Sequence, residues 1–261
     1  MYKLFINGAF VRSESARSDP MWDGQDFGAN IARGSRKDVR DAVAAARAAH
    51  AKWRAVAPST RGLVLYRLAE MIEARRAEFE ELTGDAREVD GAIDRCVWYA
   101  GWCDKFGALL STRNPVAGPH FNFSTAEPTG VVALLAPDEP PLLGLISTVL
   151  PAIVPGNAVV VVASQKDPRT AMVFAEAIAV SDLPPGVVNI ITGHRSELAP
   201  VLAKHMDVNA LGFPQEELAA ELQALGSENV KRVRVIDPSV QSLDEIAAYC
   251  EIKTIWHPAG M

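Results

Sequence analysis

Three apolar runs decide the fold: VVALLA at residues 131–136, AVVVVA at residues 158–163 and VVNIIT at residues 187–192. Runs of four to eight apolar residues without polar alternation are typical of strands that are buried on both faces. They lie within residues 127–213, where they alternate with amphipathic segments. We therefore predict an α/β fold with a Rossmann-like, doubly wound parallel sheet. Sheets of this kind bind ligands at the carboxyl ends of their strands, and whether this one still does is an open question at this point.

The segment between the second and third runs predicts a helix. Asp167 can accept a hydrogen bond from a free N–H group in the first turn of this helix. Pro168 suits the first helical position, because the N–H group that proline lacks would have no partner within the helix there. Ala171, Phe174 and Ile178 share one face. A strand, a helix and a strand at this spacing predict a right-handed crossover unit.

The segments before this sheet predict an N-terminal region of mixed character. Residues 2–11 predict a hairpin that turns at Asn7 and Gly8, a pair that tolerates positive φ. Polar and Gly-rich residues 12–34 predict an extended surface loop.

Helices are expected next along the chain. Ser35 with Asp38 predicts the start of a first helix, Pro58 the start of a second, and residues 89–110 a third. A strand outside the main sheet is expected within residues 112–126.

The composition excludes several classes of partner. The chain has 261 residues, of which 49% are hydrophobic and 22% charged, and its formal net charge is −6. Without a basic stripe, we expect neither nucleic acid nor a membrane as a partner. The apolar stretch 142–162 contains two prolines and a Gly-Asn pair and does not predict a membrane span. The first eight residues turn too early for a signal peptide, and three cysteines without framework spacing fit reduced thiols, so we expect a cytoplasmic protein.

Several motifs resemble one family. LFING (residues 4–8), YAGW (99–102), PTGVV (128–132) and LPPGVVN (183–189) look like the amino-terminal half of an aldehyde dehydrogenase. The resemblance runs from about residue 3 to residue 236.

The carboxyl-terminal part also resembles this family. YCEIKTIW (residues 249–256) is similar to the strand that ends these enzymes. In the family, a whole catalytic domain lies between this strand and the part that residues 3–236 resemble. In this chain, only a short segment lies there. HFNF (120–123) and EPPLL (139–143) make the chain similar to the non-catalytic second repeat of tandem aldehyde dehydrogenases.

The resemblance implies a domain organisation. Residues 1–236 would form a degenerate NAD-binding-type domain with a helical amino-terminal region and a strand excursion at residues 112–126. Residues 237–261 would form a linker and an oligomerisation strand. The catalytic domain would be absent, so the resemblance implies no catalytic residue in this chain.

The resemblance also implies that the family's cofactor positions are degenerate here. Glu139 stands where the family has the oxyanion-hole asparagine, and an ionised carboxylate would repel a developing oxyanion. Val162 replaces the ribose-binding lysine, and Arg195 replaces a glycine. The pyrophosphate-binding turn corresponds to residues 213–216. The degenerate cofactor positions are Glu139, Val162, Ser164, Gln165, Pro214, Gln215 and Glu216, of which Ser164 alone persists from the family motif.

The charge at this turn supports the same interpretation. A helix amino-terminus attracts anions through its free N–H groups and its dipole. In a helix that starts at Pro214, one N–H group is missing, and Glu216 and Glu217 add negative charge. We therefore expect no cofactor, with NAD or NADP binding weakly at best.

The cysteines and histidines predict no further site. Cys96 and Cys103 fall on one helical face among aromatic residues, and Cys250 falls in a predicted strand, so all three are interpreted as core thiols. The histidines lack the spacing of a metal site, and no metal is expected.

Three functional hypotheses remain open from the sequence. The leading one is a non-catalytic subunit, a pseudoenzyme that assembles with or regulates a full-length aldehyde dehydrogenase, or that assembles with itself. The alternatives are an NAD(P)-dependent aldehyde oxidoreductase with an atypical nucleophile such as Cys250, and a small-molecule sensor that uses the degenerate cleft. The strands at residues 119–126 and 249–256 are expected to form the oligomerisation surface, or else to pair with each other within one chain.

Overall fold

Among the described residues, strands and helices alternate along the chain from Val131 onward, after four strands, five helices and two further strands. A computed structural model describes residues 1–23, 25–215 and 217–259. The strands are β1 (Leu4–Ile6), β2 (Ala9–Val11), β3 (Ser18–Asp23), β4 (Asp26–Ala32), β5 (Thr112–Asn114), β6 (His120–Pro128), β7 (Val131–Leu135), β8 (Ala158–Val162), β9 (Val188–Ile191), β10 (Ala210–Phe213), β11 (Arg232–Val235) and β12 (Cys250–Pro258). The helices are α1 (Arg36–Ala55), α2 (Pro58–Glu73), α3 (Arg76–Thr83), α4 (Ala86–Trp102), α5 (Phe106–Leu110), α6 (Pro141–Ile153), α7 (Arg169–Ala179), α8 (Arg195–Lys204), α9 (Ala219–Ser227) and α10 (Leu243–Ala247).

Seven strands form the central sheet, in the order β11-β10-β7-β8-β9-β1-β2. The strands from β7 to β11 are parallel to one another, whereas β1 pairs antiparallel with β9 and β2. The chain lays down β7, β8 and β9 in one direction and then returns to place β10 beside β7. The predicted doubly wound parallel sheet is confirmed, and its switch point lies between β7 and β10.

Two separate layers of helices cover this sheet. Val132, Leu134 and Val161 belong to a core that includes residues of α2, α4, α6 and α7. Val131 and Val162 belong to a second core that includes residues of α1 and α8. Because side chains alternate along a strand and both faces are covered, every position in β7 and β8 has to be apolar.

The amino-terminal hairpin and the first helix cap form as predicted. Asn7 and Gly8 take positive φ values of 53° and 75° in the turn between β1 and β2. Ser35 begins α1 with a reciprocal cap: its Oγ accepts from the Asp38 N–H at 3.4 Å, and Asp38 Oδ2 accepts from the Ser35 N–H at 2.7 Å. Both orphan donors are thereby satisfied.

Residues 12–34 do not form the expected loop. They include β3 and β4, which pair antiparallel with a register shift between Met21 and Trp22. Most residues of both strands are exposed. A strand that buries neither face shows no period-2 pattern, so hydrophobic alternation could not reveal this hairpin.

Three helix boundaries differ from the expected ones. The helix expected at residues 89–110 is divided into α4 and α5. Helix α7 begins at Arg169, so Pro168 occupies the capping position, and Asp167 Oδ1 accepts from the Arg169 N–H at 2.9 Å. Helix α9 begins at Ala219, well after Pro214, where its start was expected.

A smaller sheet of β12, β6 and β5 lies outside the central one. β12 pairs antiparallel with β6 over its whole length, from Cys250 opposite Pro128 to Pro258 opposite His120. The two strands therefore pair within one chain, which was the alternative to an intermolecular pairing. Among the described residues, β12 has no neighbouring strand on its outer side.

Candidate functional site: the carboxyl edge of the parallel sheet

The chain leaves three adjacent parallel strands at one edge of the central sheet. Asp138 follows β7, Ser164 and Gln165 follow β8, and Arg195 follows β9 as the first residue of α8. Carboxyl ends of parallel strands are where doubly wound sheets bind ligands. These four residues therefore define the candidate site.

Arg195 reaches from the end of β9 to the end of β7. Its Nη2 lies 2.9 Å from Asp138 Oδ1 and its Nη1 lies 3.2 Å from Asp138 Oδ2. Nη2 also donates to the Ala136 carbonyl oxygen, and the Arg195 backbone N–H donates to Gln165 Oε1 at 2.6 Å. The Arg195 side chain is 10% exposed. A two-pronged ion pair, with a buried guanidinium and a carboxylate that is 38% exposed, thus crosses the site from one strand end to another.

Asp138 receives further hydrogen bonds from the turn after β8. Its Oδ1 accepts from Ser164 Oγ at 2.8 Å, from the Gln165 N–H at 2.9 Å and from the Lys166 N–H at 3.4 Å. Partial burial alone would raise the pKa of Asp138. The Ser164 hydroxyl, the Arg195 guanidinium and the two N–H groups outweigh burial and hold this pKa below its usual value. The carboxylate is therefore ionised at neutral pH.

Val162 and Glu139 lie at this edge but do not face the same space. Val162 is fully buried in the core beneath α8, in the same cluster as Leu198. Glu139 is exposed and forms an ion pair with Lys166. Neither residue contributes to the Asp138–Arg195 pair.

The turn after β10 is only partly described. Pro214 is half-buried, Gln215 is exposed, and Glu216 lies outside the described residues. Glu217 precedes α9 and is exposed. The prediction that a helix starts at Pro214 is wrong. The reason is that β10 ends at Phe213, and Pro214 and Gln215 are not helical. The expectation that a missing N–H group and negatively charged residues weaken anion binding at the start of that helix therefore does not apply to α9.

All three cysteines are buried. Burial raises the pKa of the Cys103 and Cys250 thiols to about 12 and raises that of Cys96 further. The Cys250 thiol donates to the Ile246 carbonyl oxygen at 3.4 Å. The thiolate is the reactive form of cysteine. These thiols therefore lack the chemistry of a nucleophile at neutral pH.

The described residues hold neither a metal-binding cluster nor a spanning helix. Across residues 1–23, 25–215 and 217–259, no group of three or more His, Cys, Asp or Glu side chains is arranged to hold a metal ion. Within the same ranges, no helix is long and apolar enough to cross a bilayer.

The comparison with known families identifies the fold. The aldehyde dehydrogenase family matches residues 10–235. The chain belongs to the aldehyde dehydrogenase family. It is 33% identical to human aldehyde dehydrogenase 1A1 over 248 residues, which is 88% of this chain and 49% of that protein. It is 35% identical to the mitochondrial aldehyde dehydrogenase of Sus scrofa over 88% of this chain and 47% of that protein.

Solved aldehyde dehydrogenases share this fold. KauB of Pseudomonas aeruginosa superimposes with a TM-score of 0.85 at 28% identity, over 90% of this chain and 50% of KauB. The NAD+ complex of the Bacillus cereus aldehyde dehydrogenase superimposes with a TM-score of 0.84 at 24% identity, over 89% of this chain and 50% of that one. The chain therefore spans about half the length of the aldehyde dehydrogenases that it matches.

The expectation that this chain has no cofactor is wrong. It belongs to the aldehyde dehydrogenase family, and the solved structures that share its fold include the Bacillus cereus NAD+ complex and an Escherichia coli NADP-dependent enzyme. The substitutions at Glu139 and Val162 are departures within a nucleotide-binding fold. Arg195, Ser164 and the N–H groups of Gln165 and Lys166 supply donors of the kind that a phosphate-bearing cofactor requires, and Asp138 accepts from them.

Comparison with the family motif showed that Arg195 replaces a glycine, but it did not show that Arg195 forms an ion pair with Asp138. The sequence shows an arginine in place of a glycine, and a carboxylate at Asp138 in the segment after β7. Their opposite charges at the ends of two buried strands are the one signal that could have predicted the pair. Glu217, to which the family comparison gave weight, is exposed in the turn before α9, and Glu216 lies outside the described residues.

Proposed function

We propose that this chain is a non-catalytic aldehyde-dehydrogenase-like subunit that assembles with a full-length aldehyde dehydrogenase. The connection between β11 and β12 carries the proposal. Residues 236–249 join the two strands and contain one short helix, α10. We divide the chain at this connection, with the sheet domain at residues 1–236 and the linker and β12 at residues 237–261. No further domain lies between these two parts.

The buried cysteines support a non-catalytic role. Aldehyde oxidation through a covalent intermediate needs a thiolate that is open to substrate. Cys250 is 3% exposed and its pKa is raised to about 12, so it is protonated and covered at neutral pH. The same holds for Cys103.

The outer edge of β12 supports assembly. An unpaired edge strand offers backbone donors and acceptors to a strand of another chain. Ile252 and Trp256 are each 59% exposed on one face of β12. Burying these two side chains would supply several kcal/mol before association costs.

The strand register divides the apolar residues between two faces. Phe121 lies opposite His257, and Phe123 lies opposite Ile255, so the phenylalanines share the face that Ile252 and Trp256 do not occupy. One partner surface cannot cover all four side chains. The edge and the Ile252–Trp256 face are therefore the part that we assign to assembly.

Light scattering tests the assembly. The chain is measured alone and mixed with a full-length aldehyde dehydrogenase from the same cells, and we expect a mass larger than that of either protein in the mixture. Ile252→Lys combined with Trp256→Lys should abolish the shift, because two charges then face the partner. Leu63→Lys is the matched control, since Leu63 is an apolar side chain on α2 that is 68% exposed. A chain that stays monomeric alone and in the mixture contradicts the proposal.

An activity assay separates the proposal from an atypical oxidoreductase. The chain alone, supplied with NAD or NADP and a series of aldehydes, should form no NADH or NADPH above the blank. Turnover that disappears in Cys250→Ala would establish the oxidoreductase alternative instead.

A further inference from the structure

The start of α1 and the end of α8 form the two sides of a groove. The groove encloses about 780 Å³, and none of its lining residues belongs to the candidate site at the carboxyl edge. We call it the α1–α8 groove. Its lining residues are Arg36, Lys37 and Arg40 on the α1 side, and Pro200, Val201, Lys204 and His205 on the α8 side.

The lining of this groove is basic. Its four lysine and arginine side chains are exposed, its two apolar residues are half-buried, and none of the described residues that line it is a carboxylate. The whole chain, by contrast, has a formal net charge of −6. A concave surface that is lined by one sign of charge concentrates ions of the opposite sign. The groove is therefore a local anion-attracting surface on an acidic protein.

The cations at the start of α1 are placed unfavourably for the helix itself. The amino-terminal end of a helix carries the positive end of its dipole, where a cation is destabilising. Arg36 and Arg40 are also four positions apart, a spacing at which like charges on one helix repel each other. The carboxylate of Asp38 is buried in the capping box with Ser35 and does not line the groove. A bound anion would offset both penalties.

Two of these cations have partners that a ligand can replace. Lys37 Nζ lies 2.8 Å from Glu14 Oε1, and both side chains are 47% exposed. Arg40 pairs with Asp41, its neighbour in the sequence, and both side chains are exposed. Exposed ion pairs contribute little to stability, so exchanging them for an anionic ligand costs little.

The other donors of the groove have unused hydrogen-bonding capacity. Within the described part of the chain, Arg36 and Lys204 form no ion pair with a carboxylate. His205 Nδ1 accepts from the Asp207 N–H at 3.2 Å, which leaves Nε2 to carry the proton. Burial and the Lys231 ammonium group outweigh Asp207 and hold the pKa of His205 below its usual value. The neutral imidazole can therefore donate through Nε2 at neutral pH.

The size of the groove and the distribution of its cations favour a ligand with several anionic groups. A volume of about 780 Å³ is within the range of small-molecule pockets, about 300–1,000 Å³. A guanidinium binds a phosphoryl or carboxylate group through two parallel hydrogen bonds, and an ammonium group binds either as a point charge. Because cations line both sides, a ligand with two anionic groups can pair with both sides at once.

We propose that the α1–α8 groove binds a small polyanion, a molecule that carries two or more phosphoryl or carboxylate groups. The arginines of α1 hold one anionic group, Lys204 and His205 hold another, and the apolar lining contacts the body of the ligand. The composition did not indicate this site, because its cations come from two separate segments and form no continuous basic stripe. The site does not depend on the assembly proposed above.

Binding measurements on the full chain test the groove. The probes are tripolyphosphate, citrate and inorganic phosphate, measured by calorimetry at physiological salt. We expect at least one of the two polyanions to bind, and inorganic phosphate to bind about tenfold more weakly or less, because a single anionic group makes fewer charge-assisted hydrogen bonds.

A double variant removes one cation from each side of the groove. Arg40→Gln combined with Lys204→Gln should weaken the binding of the polyanion by about tenfold or more. The matched control is Lys52→Gln combined with Arg67→Gln, which changes the net charge equally at exposed positions outside the groove. The control should leave binding nearly unchanged, because remote exposed charges are screened at physiological salt. All four residues are exposed, so both variants should fold.

Lysine acetylation gives a second measurement on the unmodified chain. Lys37 and Lys204 line the groove, Lys52 lies outside it, and all three are exposed. At about ten times its dissociation constant, the polyanion should slow the acetylation of both groove lysines by about tenfold, because it then occupies most of the molecules. Mass spectrometry should show Lys52 reacting at an unchanged rate.

The outcomes assign the class of ligand. Tighter binding of tripolyphosphate assigns phosphoryl groups, tighter binding of citrate assigns carboxylates, and equal affinities support a groove that accepts both. The proposal is overturned if neither polyanion binds at physiological salt, or if inorganic phosphate binds as tightly as the polyanions. It is also overturned if the control variant weakens binding as much as the groove variant, which would show a solvated basic surface only.

Discussion

Arg195 Nη2 lies 2.9 Å from Asp138 Oδ1, although the two residues are 57 positions apart in the sequence. The pair joins the end of β9 to the end of β7 across the end of β8. It places a cation and an anion at the sheet edge where a doubly wound fold binds its ligands.

The ion pair should contribute to stability. Arg195→Met should lower the free energy of unfolding by about 2 kcal/mol, because Asp138 loses its charged partner while it keeps Ser164 and the N–H groups. Urea denaturation measures the change. In the control Arg87→Met, the lost pair with Asp85 is exposed, and the effect should be much smaller. Equal effects in both variants would show that the Asp138–Arg195 pair stabilises the fold no more than an exposed pair does.

Stability should depend on pH through Asp138. The folded state holds the pKa of this carboxyl below its usual value, so the unfolded chain binds the proton more readily. The contribution is therefore fully present above the unfolded pKa and is lost as the pH falls through the folded pKa. Urea denaturation between pH 7 and pH 3 should give a shallower acid slope for Asp138→Asn than for the native chain. Parallel slopes would contradict this assignment.

Restoring a lysine at position 162 should not by itself restore a ribose-binding group. Val162 is fully buried in the core beneath α8, so Val162→Lys places an ammonium group among apolar side chains. We expect a loss of unfolding free energy of more than about 2 kcal/mol. Leu63→Lys, on the exposed face of α2, is the control and should cost little. A stable Val162→Lys variant would show that position 162 can open to solvent.

The cysteines should be unreactive in the folded protein. Burial raises the pKa of Cys103 and Cys250 to about 12, so very little thiolate exists at pH 8. A thiol-specific disulfide reagent should modify none of the three cysteines in the native chain and all three in denaturant. Rapid native labelling that disappears in Cys250→Ala would show that β12 opens.

The buried strands of the central sheet could be predicted from the sequence because their environment is uniform. Helices cover both faces of the sheet: Val131 packs in the core on one face, and Leu134 and Val161 pack in the core on the other. Because both faces are buried, the strands are continuous apolar runs. The hairpin of β3 and β4 could not be predicted, since exposed residues such as Trp22 and Phe27 leave no alternating pattern.

The candidate site was predictable in position but not in its contacts. Family motifs located Val162, Ser164 and Gln165 at the end of β8. The pairing of Asp138 with Arg195 depends on strand order, because it exists only when β7 and β9 flank β8. Proline followed by acidic residues is typical of helix starts and of turns alike, so the pattern at Pro214 does not distinguish them, and α9 begins only at Ala219.

Because β12 is held by its pairing with β6, the connection at residues 236–249 is a point at which a segment of the chain can be inserted or removed. Arg232, the first residue of β11, donates to the carbonyl oxygens of Ala248 and Cys250 and so holds the start of β12. Ile236, just after β11, donates its N–H to the Phe213 carbonyl oxygen at 2.8 Å and so holds the start of the connection. With both ends of the connection fixed by the same body, its length can change without disturbing either strand. A whole domain could be gained or lost there while the sheet and the β6–β12 ladder keep their registers.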